Sequence, residues 1–438
     1  MNRRNALRAF AAAGAIASGR LLPAQSRSSG KVKITNVRTS LTQPAGDHPV
    51  IVKLLTSEPG LYGIGCATHR ERPLAVASAV NDYQKPFVAG KYVEDIKDIW
   101  QSAYVSSHFW QGVTLNNALS GVDGALWNIM GKRAGMPVYK LVGGKLRTAA
   151  PFFTHTGARE LPKLEDQVRK VMSEGYRHVR VQLAVPGFSG YCVSNPRYDA
   201  IQKARPKGVV SYPVFESTPY INNTVKMFDY LRTKIGFDVD LVHDIHKRVP
   251  PAQALRLAKA VEPYRFFFLE DANAPEDVAW FQMLRQQSAT SLAMKELFVN
   301  RSEWLPPVAN RRIDFIRGHI SVIGGLTQAR KVAAACQMFG VRTAWHGPGN
   351  VSPVGNAVNL HLDLTMPNFG IQEGNTFSNA LRDVFPGTPE ISGGYLYANN
   401  TLGFGVDIDE KAVARFPSKR PGDSRGNDRR LDGSIVRP

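Results

Sequence analysis

The sequence is poor in cysteine and lacks any long hydrophobic run. Its three cysteines, Cys66, Cys192 and Cys336, are odd in number and lie far apart among 438 residues, so no disulfide framework is predicted. No apolar stretch approaches the roughly 20 residues that a membrane-spanning helix requires, which predicts no membrane span. The 43% of apolar residues still suffice for a large core, and the length favours two domains.

Acidic residues are absent from the first 30 positions, which carry five arginines. Eight further lysines and arginines fall between Lys411 and Arg437, in a tail rich in Pro, Gly and Ser. The net charge of +19 is therefore concentrated at the two ends. Because no stripe of basic residues with interleaved aromatics marks a base-reading surface, we expect no nucleic-acid partner.

Residues 1–30 are typical of a twin-arginine export signal. The pair Arg3 and Arg4 precedes a short, mildly apolar segment rich in Ala and Gly, and small residues follow it. We expect an exported, periplasmic protein, since export in the folded state suits a protein that acquires its metal before it leaves the cytoplasm. The alternative is a disordered basic tail on a cytoplasmic protein.

Three regions of different texture follow. Residues 31–148 mix strand-like pieces with a helical spacing of apolar residues from Leu115 to Met130, which Gly135 would end, and this predicts an α+β domain. Residues 149–385 alternate short β-branched or aromatic runs with helical segments, as parallel βαβ units do. Residues 386–438 are rich in turns, and we expect them to pack on the first domain and to end in a basic disordered tail.

Each apolar run in residues 149–385 ends in a polar residue. In chain order these are His155, Arg180 with Gln182, Asp244, Glu270, Glu296, Arg317, His346 and Glu373. Successive positions are 21 to 29 residues apart, except for one gap of 64 residues after Arg180. Eight such units predict an α/β fold with a modified (β/α)8 barrel of the TIM type, in which catalytic residues lie at the C-terminal ends of the strands.

The stretch "DLVHDIHKR", which begins at Asp240, places an acid and two histidines just after an apolar run. Strand alternation would put Asp244 and His246 on one face and His243 on the other. Taken alone, the stretch fits either a metal or proton-transfer site or the solvated end of a strand.

The next acids favour the metal site. Asp244, Glu270 and Glu296 are each 26 residues from the next, at the ends of three consecutive predicted strands. Three converging carboxylates repel one another and cannot all stay ionised without a cation. Oxygen ligands with room left for water and substrate suit Mg²⁺. The alternative is a ring of acids paired with lysines and arginines around the barrel mouth.

Longer motifs carry a resemblance to a known family. The ordered acids and "GALWNIMGKRAGMPVYKLVGG" resemble the enolase superfamily in its mandelate racemase branch. The stretches "HDIHKR", "EPYRFFFLEDANAPED", "SPVGNAVNLHLDL" and "PNFGIQEGN" are similar to the D-mannonate dehydratase group. The resemblance implies an α+β domain that caps the barrel, a homo-oligomer, and Mg²⁺ held by Asp244, Glu270 and Glu296. It implies a small sugar acid as substrate.

The resemblance also implies residue roles. Tyr191 would be the base that removes the proton α to the carboxylate, assisted by Arg180, and His246 would be the acid that expels the β-hydroxyl as water, giving a 2-keto-3-deoxy acid. An adjacent cation would favour the phenolate anion of Tyr191 near neutral pH. Further residues match substrate-binding positions: His155, Arg317, His346 and Glu373. The alternatives are a racemase or epimerase of the same superfamily and a non-catalytic protein that binds or senses sugar acids.

Several residues depart from the family pattern. Arg70 stands where an asparagine that contacts substrate is expected, Asn350 and Phe404 replace Asp and His, and Tyr191 follows Arg180 one residue early. Lys295 precedes Glu296 where the group has a glycine. Its ammonium could reach the substrate carboxylate, pair with an acid such as Asp271, or approach Glu296 and partly replace the metal. We therefore expect a sugar acid other than mannonate to be at least as suitable a substrate.

Overall fold

The computed structural model describes residues 30–108, 112–188, 203, 205–209, 212–294, 296–349, 351–419 and 428–436. The chain from Val32 onward forms one compact unit. Four sequence predictions concern residues outside the described ranges and stay predictions: the export signal, the base Tyr191, and the roles of Lys295 and Asn350.

The N-terminal part is an α+β layer. Strands β1 (Ile34–Leu41), β2 (Val50–Thr56) and β3 (Tyr62–Cys66) form an antiparallel sheet in the order β1-β2-β3. The helices that follow are α1 (Pro73–Ser78), α2 (Lys85–Val88), α3 (Ile96–Tyr104), α4 (Val113–Ala134) and α5 (Val138–Leu141). The long helix predicted around residues 115–130 is α4, and Gly135 ends it with a left-handed φ of 67°.

Two glycines of β3 explain how closely this sheet approaches α4. A Cβ at Gly65 would lie 2.0 Å from the carbonyl oxygen of Gly121, and one at Gly63 would lie 2.0 Å from that of Ala125. Only glycine allows such backbone contact between a strand and a helix. The sheet and α4 therefore form one rigid cap, from which the loop after β3 extends.

The second part is a ring of parallel strands. Within the described residues these are β4 (Ala150–Ala158), β5 (His178–Leu183), β6 (Asp240–Asp244), β7 (Phe268–Glu270), β8 (Leu292–Met294), β9 (Phe315–Ile316), β10 (Arg342–Thr343) and β11 (Gln372–Glu373). They pair in chain order from β4 to β10, and β11 pairs with β4. The amide of Glu373 donates to the carbonyl of Trp345 at 3.2 Å, which joins the segment after β10 to β11 and closes the ring.

Helices cover the outside of the ring. They are α6 (Leu161–Ser173), α7 (Ser217–Ile235), α8 (Pro251–Ala260), α9 (Val278–Gln287), α10 (Arg301–Ala309), α11 (Leu326–Met338), α12 (Pro353–Asp363) and α13 (Asn379–Val384). The strands are short and apolar because both of their faces are buried. The predicted barrel with a capping domain is confirmed. No helix in the described ranges is both long and apolar enough to cross a membrane.

The C-terminal segment contacts both parts. Strands β12 (Glu390–Ser392) and β13 (Tyr395–Tyr397) extend the sheet beside β4, and α14 (Glu410–Arg415) follows. On the cap, Tyr62 donates its hydroxyl proton to Asp407 at 2.5 Å, and Lys53 lies 2.7 Å from Glu410.

The predicted disordered tail differs in part from the structure. Residues 428–436 lie against the barrel, where the amide of Phe215 donates to the carbonyl of Arg429 at 2.9 Å and Val436 is buried in the core. The basic composition of the tail concealed this strand-like pairing and its one buried valine.

Candidate active site

The site residues converge because a ring of apolar side chains fills the barrel interior below them. Its members are Phe153, Val242, Phe268, Ala293, Phe315, Ala344 and Ile371. Because side chains alternate along a strand, the residue two positions after each of these lies on the same face, at the mouth of the barrel. The residues at these positions are His155, Asp244, Glu270, Arg317, His346 and Glu373. For β8 the position two residues after Ala293 is 295, which is outside the described ranges, and Glu296 comes one residue later.

Three carboxylates form a cluster that could hold a metal ion. Oxygen atoms of Asp244, Glu270 and Asp271 all lie within 4.8 Å of one another, and all three residues are buried. Two of them are predicted ligands, whereas Asp271 is new. The third predicted ligand, Glu296, is not in this cluster and instead places Oε2 3.6 Å from Nδ1 of His346. Its assignment as a ligand stays a prediction.

The turn after β6 holds His246 at the cluster. The strand ends at Asp244, so His246 is positioned by a turn and not by the strand alternation expected from the sequence. His246 and Lys247 have φ values of 54° and 51°, and the backbone amide of His246 donates to Oδ1 of Asp244 at 2.6 Å. A left-handed backbone at two successive non-glycine residues is costly, and such conformations concentrate at functional sites.

Two buried arginines and the carboxylates that they bind form the floor of the site. Arg180 places Nη2 3.1 Å from Oδ2 of Asp244 and Nη1 3.2 Å from Oε1 of Glu373. Arg317 places Nε 2.7 Å from Oε1 of Glu270, and its Nη2 pairs with Oε2 of Glu373. Each guanidinium therefore bridges a carboxylate of the cluster and Glu373, which fixes the relative positions of three strand ends.

Histidines complete the surroundings of Glu373. The Nε2–H group of His155 donates to Oε1 at 2.8 Å, and Nδ1 of His346 lies 3.0 Å from Oε2. Burial alone would raise the pKa of Glu373, but Arg317, His346 and His155 outweigh it and hold the pKa well below its usual range. Glu373 is therefore an ionised anchor, saturated by its neighbours, and has little capacity left to act as a base.

The pKa of Glu270 is shifted in the opposite direction to that of Glu373. Burial raises its pKa well above the usual range, Arg317 lowers it only in part, and the nearby Asp244 and Glu373 raise it further. Oε2 of Glu270 is buried and has no hydrogen-bond partner among the residues that the structure describes. An orphaned carboxylate oxygen that faces other carboxylates fits a hard divalent cation such as Mg²⁺.

Glu296 carries charge despite its burial. Burial raises its pKa, yet His346, His246 and Arg317 together lower it to about 2. The acidic groups at the mouth are thus Asp244, Glu270, Asp271, Glu296 and Glu373, and the guanidinium groups of the floor belong to Arg180 and Arg317. The excess of carboxylates over guanidinium groups is a second reason to expect a cation.

A buried hydrogen-bond chain supports β6 from behind. Nδ1–H of His243 donates to the carbonyl of Val181 at 3.0 Å, and its Nε2 accepts from the hydroxyl of Tyr220 at 2.7 Å. Burial lowers the pKa of His243 to about 4, so the ring is neutral. His243 is therefore a structural residue that fixes the strand bearing Asp244, and it does not enter the site.

The mouth opens into a cleft of about 220 Å³ between barrel and cap. His155, Arg180, Glu296 and His346 line its barrel side, with residues 347–349 and 351–353. Asp47 and Arg70 line its cap side. Phe404, expected to change the substrate surroundings, is instead buried and packs on His361 at a ring distance of 5.3 Å.

Sequence reasoning missed three further residues. Asp271 directly follows Glu270 in "LED", where the sequence indicates only a partner for Lys295. Asp47 lies in a loop of the cap with no motif. His319 stacks on His346 at 5.2 Å and lines a second cavity that also contains Glu296. The spacing Arg317-x-His319 at a strand end was the one available signal for it.

Comparison with known proteins agrees with this geometry. The family model for the N-terminal domain of mandelate racemase and muconate lactonizing enzyme matches residues 28–143, and the enolase C-terminal domain-like model matches residues 163–412. A D-galactonate dehydratase family member of Salmonella enteritidis is 49% identical over 93% of this chain and 99% of its own length. One from Musicola paradisiaca is 48% identical over 93% and 100%, respectively.

A solved structure extends the comparison. The crystal structure of an enolase from Pantoea ananatis with bound D-gluconate and Mg is 47% identical, covers 93% of this chain and 100% of its own, and superposes with a TM-score of 0.88. A capped barrel with acids at its strand ends defines the enolase superfamily class. The chain belongs to the mandelate racemase and muconate lactonizing enzyme family within it.

Proposed function

We propose that the protein is a Mg²⁺-dependent dehydratase of sugar acids of the aldonate class. The observation that carries the proposal is the buried group of Asp244, Glu270 and Asp271, which could hold a divalent cation. The relatives are named for D-galactonate, and the Pantoea ananatis structure holds D-gluconate and Mg. These names favour the aldonate class as a whole over D-mannonate in particular.

Asp244 and Glu270 would hold the metal, with Asp271 or Glu296 as the third carboxylate. When bound, Mg²⁺ would supply positive charge to the substrate carboxylate, on which negative charge accumulates as the proton α to it is removed. Arg180 and Arg317 keep the ligands in place through their ion pairs. Glu373 ties both arginines to the floor.

His246 would donate the proton to the departing β-hydroxyl. Its turn is fixed by the hydrogen bond from its backbone amide to Asp244, and His246 is close enough to Glu296 to help lower the pKa of that carboxyl. Tyr191 remains the proposed base. Arg180 is the cation that would favour its phenolate, because an adjacent positive charge stabilises the ionised form of a phenol.

Incubation of the purified protein with Mg²⁺ and a library of aldonates and aldarates tests the proposal. We expect one or a few acids to yield a 2-keto-3-deoxy acid, detected as a carbonyl adduct whose mass reflects the loss of one water. Exchange of configuration without keto acid would instead identify a racemase or epimerase. Thermal stabilisation by a sugar acid without any turnover would identify a binding protein.

A further inference from the structure

The cap presents an arginine to the cleft. Arg70 belongs to the loop between β3 and α1, and it lines both the main cleft and the neighbouring cavity that contains His319. Glu296 is the other residue shared by both cavities. Arg70 is half-buried, so part of the residue has already lost its contact with water. The cap therefore carries a cation at the wall that faces the barrel floor.

This arginine differs from the two arginines of the floor. Within the described ranges, Arg70 makes no hydrogen bond and no ion pair, whereas Arg180 and Arg317 each bind two carboxylates. A partly desolvated guanidinium is stabilised most by a carboxylate or a phosphate, because its planar fork can donate two parallel hydrogen bonds to either group.

Asp47 is the acid beside Arg70, but the two residues do not pair. A Cβ at Gly349 would lie 2.5 Å from Oδ1 of Asp47 and 3.4 Å from Nη1 of Arg70, so both groups lie at the rim of the cleft. Among the ion pairs of the described residues there is none between Asp47 and Arg70. Burial raises the pKa of Asp47, and Arg70 lowers it only in part. Asp47 is therefore suited to accept a hydrogen bond from a substrate hydroxyl, which leaves Arg70 available to an anion.

The reacting end of an acid substrate lies on the floor, where the carboxylate cluster and His246 are. Arg70 lines the cap side of the same cleft. An acyclic acid that extends from the floor toward the cap would bring its remote end to Arg70. Resting on the proposed dehydratase function, we propose that Arg70 selects acyclic sugar acids that carry a second anionic group, a carboxylate or a phosphate, at the end remote from the reacting carboxylate.

The test uses three substrates with the same configuration at the internal carbons: an aldonate, the corresponding aldarate and the 6-phosphoaldonate. In the wild-type protein with Mg²⁺, we expect kcat/KM for one of the doubly charged acids to exceed that for the aldonate by at least about 10-fold, the value of a charge-assisted hydrogen bond. The preferred member of the pair identifies carboxylate or phosphate as the second anion.

Arg70→Met should lower kcat/KM for the doubly charged acid by about 10- to 100-fold and change that for the aldonate by less than about 3-fold. Arg70→Lys should have a kcat/KM for the doubly charged acid between those of the wild type and Arg70→Met, because lysine keeps the charge but cannot donate two parallel hydrogen bonds. Arg72→Met is the matched control, since Arg72 is on the same loop and is exposed, and its side chain donates to the backbone carbonyl of Glu71 at 2.8 Å. Equal losses for all three acids, or an unchanged ratio, would overturn the proposal for Arg70 and leave the dehydratase function standing.

A wild-type protein that turned over no acid would contradict the dehydratase function, and binding then decides the role of Arg70. In calorimetric titrations with Mg²⁺ present, the proposal requires that the wild-type protein binds the doubly charged acid at least about 10-fold more tightly than Arg70→Met does. Equal affinities of the two proteins would overturn it.

Discussion

The floor and the rim of the cleft use charge in opposite ways. On the floor, Arg180 and Arg317 are buried, and each is bound by two carboxylates that come from different strands. At the rim, Asp47 and Arg70 lie close together without forming an ion pair. The charged groups of the floor are thus already paired with one another, and its surplus carboxylates could hold a cation.

This difference between floor and rim suggests that the floor performs the chemistry and that the rim selects the substrate. Groups that are already bound to one another hold their geometry before substrate arrives, as stabilisation of a transition state requires. A charged group without a partner gains most when a ligand supplies one. We therefore expect changes on the floor to abolish the reaction or unfold the barrel, and changes at the rim to alter which acid is accepted.

The largest effect is expected for Glu270→Gln. This change removes one negative charge and one oxygen ligand from the carboxylate cluster, so Mg²⁺ affinity and kcat should both fall by at least about 100-fold. Far-UV circular dichroism should stay unchanged, because the amide keeps the shape of the side chain. Glu174→Gln, an exposed acid after α6, is the control, and normal Mg²⁺ binding by Glu270→Gln would show that the ligand assignment is wrong.

Arg317→Met should destabilise the barrel by about 3–5 kcal/mol, because it leaves the buried Glu270 and Glu373 without their shared cation. Urea unfolding followed by fluorescence measures the loss. Arg415→Met breaks an exposed pair with Asp383 and should cost less than about 1 kcal/mol. Equal losses in the two variants would remove the distinction between a bound floor and a surface ion pair.

A buried histidine at the seam between cap and barrel should make stability depend on pH. Nδ1 of His361 accepts from the amide of Tyr139 at 3.1 Å, and burial together with Lys145 lowers the pKa of His361 to about 3. The unfolded chain protonates this histidine near pH 6.5, so between these values it binds more protons than the folded protein does.

The contribution of His361 is therefore fully present above about pH 6.5 and is lost at about 1.4 kcal/mol per pH unit as the pH falls toward 3. Urea titrations at pH 7, 6 and 5 should show a shallower decline in His361→Gln than in the wild type. His108→Gln, at an exposed position, should keep the wild-type slope. A wild-type slope in His361→Gln would contradict the assignment.

The smallest effect is expected where the C-terminal segment meets the cap. Lys53 pairs with Glu410 at 2.7 Å, but Glu410 is more than half exposed. Glu410→Gln should change the unfolding free energy by less than about 1 kcal/mol and leave kcat/KM unaltered. A larger kinetic effect would mean that the cap transmits changes at its outer surface to the rim.

Much of the floor could be predicted from the sequence. Strands of a parallel barrel end at one edge, so a polar residue after each apolar run is sufficient to place His155, Arg180, Asp244, Glu270, Arg317, His346 and Glu373 together. The spacing of polar residues in the sequence does not predict which carboxylates share a metal. Asp271 joins the cluster through a backbone φ of 43°, and Glu296 lies one residue beyond the count that places the others.

The rim was less predictable for a physical reason. Asp47 and Arg70 meet Gly349 only because three loops from the cap and the barrel converge, and loop approach leaves no periodic signal in a sequence. Arg70 departs from the family pattern in the sequence, but only the structure shows that it has no ion pair within the described ranges. Phe404, noticed in the same way, proved to be a core residue.

Removal of the substrate's α-proton in D₂O tests the separation of floor and rim most directly. Proton NMR of an aldonate with Mg²⁺ would follow the loss of the C2–H signal, through dehydration or exchange, in the wild type, Glu270→Gln and Arg70→Met. We predict that Arg70→Met removes this proton at a rate close to that of the wild type and that Glu270→Gln does not remove it. A C2–H signal that was lost in Glu270→Gln, or that persisted in Arg70→Met, would contradict a floor that performs the chemistry and a rim that selects the substrate.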